Sequence, residues 1–218
     1  MSAASSSKTI HFGTDGWRGI IADDFTFPNV CKVTRAIASY LETAYSKDRP
    51  VLIAYDTRFL ADQFAHTAAQ VLVDAGWTVK IVDRDCPTPV IAYNARLLNS
   101  AGALMFTASH NPAPYCGIKY IPDYAGPATP EITDTIVANI EGAADTPPSG
   151  NNPDKITFFD PKPEYLKFIY TLLDVERIRS AKLKVKYDAI YSTSRGYLDT
   201  VLEHCGCDTE SFHTYRDV

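Results

Sequence analysis

Residues 51–82 read VLIAYDTRFLADQFAHTAAQVLVDAGWTVKIV. Two short apolar runs, Val51–Tyr55 and Thr78–Val82, lie on either side of an amphipathic stretch, Leu60–Ala75, which ends just before Gly76. Continuous apolar runs of this length are typical of strands buried in a mainly parallel sheet, and a glycine commonly follows the last residue of a helix. The segment therefore predicts a strand–helix–strand unit with a right-handed crossover.

The same pattern continues on both sides of this unit. Another apolar run, Ala103–Phe106, predicts a third buried strand, and amphipathic stretches predict helices at Asn29–Tyr45, Thr88–Leu98 and Pro130–Ile140. Pro89 is compatible with the second of these helices because the first turn of a helix needs no N–H partner. This alternation predicts an α/β fold in which a mixed, mainly parallel sheet is sandwiched between helices (α/β/α).

The composition changes after the last of these helices. Residues 142–153 read GAADTPPSGNNP, which is typical of a loop or linker. We therefore expect a first domain at 1–141, a linker at 142–157 and the start of a second domain at 158–218. The last segment predicts a helix, a strand and a helix, at Pro163–Leu173, Lys184–Tyr191 and Gly196–His204. Because one strand cannot form a sheet alone, we expect an incomplete second α/β domain.

The overall composition excludes several classes of protein. The net charge is −5 without a basic block, so nucleic acid and anionic membranes are not expected partners. No apolar run approaches the roughly 20 residues needed to span a bilayer. The five cysteines are odd in number and irregularly spaced, which indicates reduced thiols in a cytoplasmic protein. The sequence predicts no particular oligomeric state.

The strongest chemical signal is Thr107–Pro112, TASHNP, directly after the predicted strand Ala103–Phe106. In open α/β sheets, ligands bind beyond the carboxyl ends of the strands. Ser109 is a candidate nucleophile there, and His110 and Lys119 are a nearby proton acceptor and cation of the kind that a serine hydroxyl requires. From the residues alone, an ordinary turn after a strand is the other interpretation, since Ser, Asn and Pro are common in turns.

Four segments together resemble one known family. They are TASHNPAPYCGIK at 107–119, FGTDGWRG at 12–19, IAYDTR at 53–58 and PTP at 87–89. In order and spacing they resemble the α-D-phosphohexomutases, the family of phosphoglucomutases and phosphomannomutases. The resemblance covers residues 12 to about 120, and the rest of the chain follows the family's order of helices and strands.

The resemblance implies a role for four residues. Ser109 would carry the phosphoryl group and, through that phosphate, bind a metal ion. His110 would orient the phosphate or move a proton, Lys119 would act as general base or electrostatic partner of a sugar hydroxyl, and Arg18 would bind phosphoryl oxygens. The chain departs from the family at Cys116, where Asn commonly precedes the glycine. We expect Gly117 to preserve the backbone freedom of this turn.

The implied reaction interconverts hexose 1-phosphate and hexose 6-phosphate, most simply of glucose, through hexose 1,6-bisphosphate. In the family, Mg²⁺ is held by the phosphoserine and three aspartates of a D-G-D-x-D-R loop, and this sequence contains no D-x-D-x-D spacing. We therefore expect little or no mutase activity from these 218 residues alone. Two alternatives remain: a non-catalytic binding or regulatory module derived from a mutase, and a phosphatase or small hydrolase that uses Ser109 with water.

Other residues that could suggest function are better explained by structure. We interpret Asp56 and Arg58 as a structural ion pair, and Asp83 and Asp85 as solvated side chains rather than metal ligands. Further structural roles are expected for the loop residues Thr14, Asp15 and Gly16, the packing residues Trp17 and Trp77, the lone histidines His66 and His204, and the segment Arg195–Tyr197.

Overall fold

The structure, a computed structural model, describes residues 10–13 and 16–217. Its larger sheet contains six strands in the order β1-β5-β4-β2-β3-β6. These strands are β1 (Trp17–Ile20), β2 (Val51–Tyr55), β3 (Val79–Val82), β4 (Ala103–Phe106), β5 (Tyr115–Ile121) and β6 (Ile156–Phe159). Strands β4, β2, β3 and β6 are parallel, whereas β5 is antiparallel to both β1 and β4.

Helices cover both faces of this sheet. They are α1 (Phe27–Ala44), α2 (Ala61–Asp74), α3 (Thr88–Leu97) and α4 (Pro130–Gly142). The chain crosses from β2 to β3 through α2 and returns over β2 to β4 through α3, so right-handed crossovers place α2 and α3 on opposite faces. Helix α1 contacts α2 and α4. The predicted α/β/α sandwich with a mixed, mainly parallel sheet is confirmed.

The core lies around the central strands. Every residue of β2 and β4 is buried, as expected for parallel strands covered on both faces. Trp77 is fully buried and Trp17 is 4% exposed, with its ring stacked 4.7 Å from that of Phe25. Both tryptophans are therefore packing residues, as predicted.

The remainder of the described chain forms a smaller unit. It contains α5 (Lys162–Leu172), α6 (Val175–Ser180), β7 (Lys184–Asp188), α7 (Leu198–His204) and β8 (Asp208–Phe212). Strands β7 and β8 pair in parallel as a two-stranded sheet. None of the helices between residues 16 and 217 is long and apolar enough to cross a membrane.

Two strands bear on the expected linker and second domain. The expectation of a single strand after residue 158 is wrong, because β8 pairs with β7. Strand β8 has no buried residue, so it lacks the apolar signal by which strands are predicted. Strand β6 lies across the expected linker boundary at 157 and pairs with β3, so the larger sheet extends beyond the expected first domain.

A buried ion pair joins the two units. Asp85, in the loop after β3, is 2% exposed and pairs with Arg195, in the loop after β7. Arg84 Nη2 also donates to the Arg195 carbonyl at 3.1 Å, and the ring of Tyr93 in α3 meets that of Tyr165 in α5 edge-to-face. The interpretation of Asp85 as a solvated side chain is therefore wrong. The sequence did not reveal the ion pair because the partner of Asp85 lies 110 residues away. Asp83 is exposed, as expected.

Candidate active site

Ser109 lies in the loop that follows β4. Its backbone has φ 55°, in the left-handed region that residues other than glycine rarely adopt. Its N–H donates to Thr107 Oγ1 at 3.1 Å, and the Asn111 N–H donates to the Ala108 carbonyl at 3.0 Å, which closes a turn around it. Ser109 and His110 are both exposed. The loop therefore presents the serine to solvent at the carboxyl end of a buried strand.

The antiparallel part of the sheet brings two cations to this loop. Arg18 in β1 pairs with Gly117 in β5, and side chains of paired residues lie on the same face. Lys119 lies two residues along β5 and therefore shares this face. Arg18 Nη1 donates to Asn111 Oδ1 at 3.0 Å, which connects β1 directly to the serine loop.

These residues line one cleft. It has a volume of about 340 Å³, and its lining residues are Arg18, Thr88, Thr107, Ser109, His110 and Lys119. The structure thus brings together all four residues singled out from the sequence. Ser109 Oγ lies 3.5 Å from His110 Nδ1, a separation that a small rotation would convert into a good hydrogen bond. A hydroxyl, an imidazole and two cations suit the binding and transfer of an anionic group.

Comparison with known proteins shows which family the chain belongs to. The family model for the phosphoglucomutase/phosphomannomutase α/β/α domain I matches residues 9–146. This chain belongs to that family. It is 31% identical to a phosphoglucomutase of Staphylococcus haemolyticus over 205 residues, which are 88% of this chain and 37% of that protein. It is 34% identical to a phosphoglucosamine mutase of Picosynechococcus over 131 residues, which are 60% of this chain and 27% of that protein.

A solved structure extends the similarity to nearly the whole chain. A phosphomannomutase-type protein of Thermus thermophilus superposes with a TM-score of 0.86 at 28% identity, over 95% of this chain and 46% of that one. The chain thus spans between about a quarter and a half of the length of these relatives.

The structure corrects one expectation about this phosphohexomutase loop. Gly117 does not have a left-handed backbone, so conformational freedom is not the reason for a glycine. A Cβ atom there would lie 2.6 Å from the Trp17 carbonyl oxygen and 2.7 Å from that of Thr107, so β1 and the serine loop can approach only a glycine. Gly16 has φ 85° and similar crowding against β5. Thr14 and Asp15, which were expected to shape the loop before Arg18 together with Gly16, lie outside the described residues.

The sequence interpretation assigned no role to three polar residues of the site. Thr88 is the first residue of α3, whose unpaired N–H groups give that helix end a partial positive charge. Thr107 and Asn111 hold the serine loop through the hydrogen bonds described above. The PTP and TASHNP segments contained the signal for all three, but the sequence could not show which of their side chains line the cleft.

Arg58 also contacts the serine loop. The expected ion pair is confirmed, with Arg58 Nε 3.3 Å from Asp56 Oδ2. The same guanidinium donates to carbonyls of residues 109–115, which the sequence did not predict. Burial raises the pKa of the Asp56 carboxyl, and the hydrogen bond from Thr107 and the charge of Arg58 only partly offset this effect.

The described residues offer few ligands to a metal ion. Among residues 10–13 and 16–217, no three His, Cys, Asp or Glu side chains are grouped so that they could hold a metal. Mg²⁺ prefers several hard oxygen ligands in octahedral geometry. The described residues therefore do not form a Mg²⁺ site on their own.

Proposed function

We propose that this chain is the phosphoryl-carrying part of a phosphohexomutase, in which Ser109 becomes phosphorylated during interconversion of hexose 1-phosphate and hexose 6-phosphate. The observation that carries the proposal is the cleft at Ser109, where the exposed hydroxyl shares a lining with Arg18, His110 and Lys119. The family membership supports the reaction class, and the chemistry of these side chains supports the role of each.

The proposed step is transfer of a phosphoryl group from a hexose 1,6-bisphosphate to the serine. Ser109 Oγ forms a bond to phosphorus while the bond from phosphorus to the sugar oxygen breaks. The hydroxyl proton passes to His110 Nδ1, and the departing sugar oxygen takes up a proton from the Lys119 ammonium, so the products are phosphoserine and a hexose monophosphate. Arg18 and Lys119 stabilise the negative charge on the transferring group, which dominates catalysis of this kind. The reverse step returns the phosphoryl group to the other sugar oxygen.

The choice of sugar and the binding of the metal ion depend on the whole protein. Relatives of this chain include phosphoglucomutases and phosphoglucosamine mutases, so we propose glucose phosphates as substrates, with glucosamine phosphates as the competing choice. Mg²⁺ would neutralise phosphoryl charge, and Ser109 would contribute an oxygen of its phosphate to that ion. Because the chain spans less than half of these relatives, we propose that the 218 residues alone complete few catalytic cycles. The five unpaired thiols support a cytoplasmic location.

Incubation of the purified chain with glucose 1,6-bisphosphate, followed by peptide mass spectrometry, tests the proposal. We expect one phosphoryl group on the peptide that contains Ser109, and none in Ser109→Ala. Ser192→Ala is the matched control, because Ser192 follows β7 much as Ser109 follows β4, and it should behave as wild type. Absence of phosphate with both the glucose and glucosamine bisphosphates would favour a binding module, whereas steady release of phosphate from simple esters would indicate a phosphatase.

A further inference from the structure

The guanidinium of Arg58 binds almost entirely to one loop. Nη1 donates to the carbonyls of Pro112 and Tyr115, each at 2.9 Å. Nη2 donates to the carbonyls of Ser109 and Asn111 at 2.9 and 2.8 Å. Together with Nε, which faces Asp56, these contacts use all five N–H groups of the side chain. Four of the five connect to the backbone of the loop that carries the candidate nucleophile.

Arg58 is itself held firmly. Its own N–H donates to Asp56 Oδ1 at 2.9 Å, and the Asp56 N–H donates to the Phe106 carbonyl at 3.0 Å. The Arg58 side chain is 13% exposed. These bonds tie the end of β2 to the end of β4, the point at which the serine loop begins. The planar guanidinium is therefore a rigid part of the larger sheet.

The loop requires such external support. Ser109 has φ 55°, and a non-glycine residue keeps this conformation only where its surroundings hold it there. The peptide bonds of the described residues are all trans, and in a trans peptide bond the C=O and the N–H point in opposite directions. Because Arg58 binds the Ser109 carbonyl, the N–H of His110 points away from Arg58. Arg58 also binds the negative ends of four carbonyl dipoles, which would repel a phosphoryl group if they turned towards it.

We propose that Arg58 is a positioning residue for phosphoryl transfer at Ser109. It is not among the residues that line the cleft, so it acts through the backbone of residues 109–115 rather than on the substrate. The inference rests on the proposed role of Ser109 as phosphoryl carrier. It adds a residue that holds the serine in its left-handed conformation and turns the carbonyls of the loop away from an incoming phosphate.

The test compares two conservative variants. Arg58→Lys keeps a charge opposite Asp56, but one ammonium cannot reproduce a planar fork with five donors. Arg49→Lys is the matched control, because Arg49 also donates to loop carbonyls, those of Asn99 and Ser100, and pairs with Asp123. Arg49 lies just before β2, so its contacts are at the opposite end of the sheet from Ser109.

Two measurements are made on each variant: amide hydrogen exchange across residues 108–116, and the rate of Ser109 phosphorylation by glucose 1,6-bisphosphate. We expect Arg58→Lys to accelerate exchange in this segment and to slow phosphorylation about 10- to 100-fold, since small displacements of a reacting group cost rates of this order. Arg49→Lys should leave both unchanged. In Arg58→Ala, added guanidinium ion should restore part of the phosphorylation rate, and equal concentrations of sodium ion should not.

The outcomes separate the two proposals. Unchanged exchange at 108–116 in Arg58→Lys, or faster exchange with an unchanged phosphorylation rate, would refute the positioning role while leaving Ser109 as carrier. A wild-type chain that never becomes phosphorylated would refute the carrier assignment, and the role of Arg58 in transfer with it. If circular dichroism shows that Arg58→Lys does not fold, Arg58→Gln, which retains two N–H donors, replaces it in both measurements.

Discussion

The two sheets of this protein are both built on parallel strands, but they differ sharply in burial. In the six-stranded sheet every residue of β2 and β4 is buried between helices. In the two-stranded sheet Tyr187 is the one buried residue of β7, and β8 has none. Parallel sheets are normally covered on both faces, so the larger sheet can be stabilised by its own core, whereas the smaller one depends on its attachments. The buried pair between Asp85 and Arg195 is the most prominent of them.

The largest effect should come from breaking that attachment. We expect Arg195→Met to destabilise the protein by about 3–5 kcal/mol, because it leaves the buried carboxylate of Asp85 without its charge partner. Hydrogen exchange should accelerate first in β7 and β8. The double variant Asp85→Asn/Arg195→Met, which removes both charges, should recover at least half of the loss in urea unfolding. A single variant that costs under about 1 kcal/mol would show that the pair does not hold the units together.

The next largest effect is the difference in stability cost between two leucine-to-alanine substitutions, one in each unit. Leu52 in β2 is fully buried, whereas Leu183, just before β7, is 45% exposed. We expect Leu52→Ala to cost about 2–5 kcal/mol, since it leaves a cavity in a close-packed core. Leu183→Ala should cost at most about 0.5 kcal/mol. Urea unfolding followed by far-UV circular dichroism measures both, and equal costs would contradict the contrast in packing.

The cysteines provide a chemical comparison of the same two regions. Cys116 is fully buried in the larger unit, and burial raises the pKa of its thiol to about 12. Burial also raises the pKa of Cys86, whereas Cys207 in the smaller unit is only partly buried. Because the thiolate is the reactive form, iodoacetamide at pH 8 should alkylate Cys207 at least about 100-fold faster than Cys116. Peptide mass spectrometry over time measures the rates, and similar rates at both sites would mean that the larger core opens readily.

The smallest effect concerns two aspartates at the carboxyl ends of parallel strands: Asp56 directly follows β2, and Asp188 is the last residue of β7. Burial raises the pKa of Asp56, so the stability it contributes is present at low pH and is lost as the pH rises through its folded pKa. Hydrogen bonds from the Ile190 N–H and from His213 lower the pKa of Asp188, so its contribution is present above the ordinary value of 3.8 and is lost as the pH falls through its folded pKa. Carboxyl NMR titration should therefore find Asp188 below 3.8 and Asp56 above it, and the opposite order would refute both assignments.

The accuracy of sequence prediction follows the same contrast between the sheets. The VLIAY and ALMF runs predicted β2 and β4 at their observed bounds, because strands buried on both faces consist of continuous apolar residues. Strand β8, DTESF, was missed because pairing between exposed strands leaves no hydrophobic pattern. The ion pair of Asp85 could not be predicted either, since its partner is remote in sequence and only the folded chain brings them together.

The sequence by itself determined the fold class of the larger unit and pointed to the four residues proposed for catalysis, because apolar periodicity and the two motifs at 12–19 and 107–119 are local properties of the chain. Only the tertiary structure decided how that loop is held. The hydrogen bonds from Arg58 to the carbonyls of residues 109–115 join segments about 50 residues apart. Backbone carbonyls are the same for every residue type, so no sequence pattern records which of them a distant guanidinium binds.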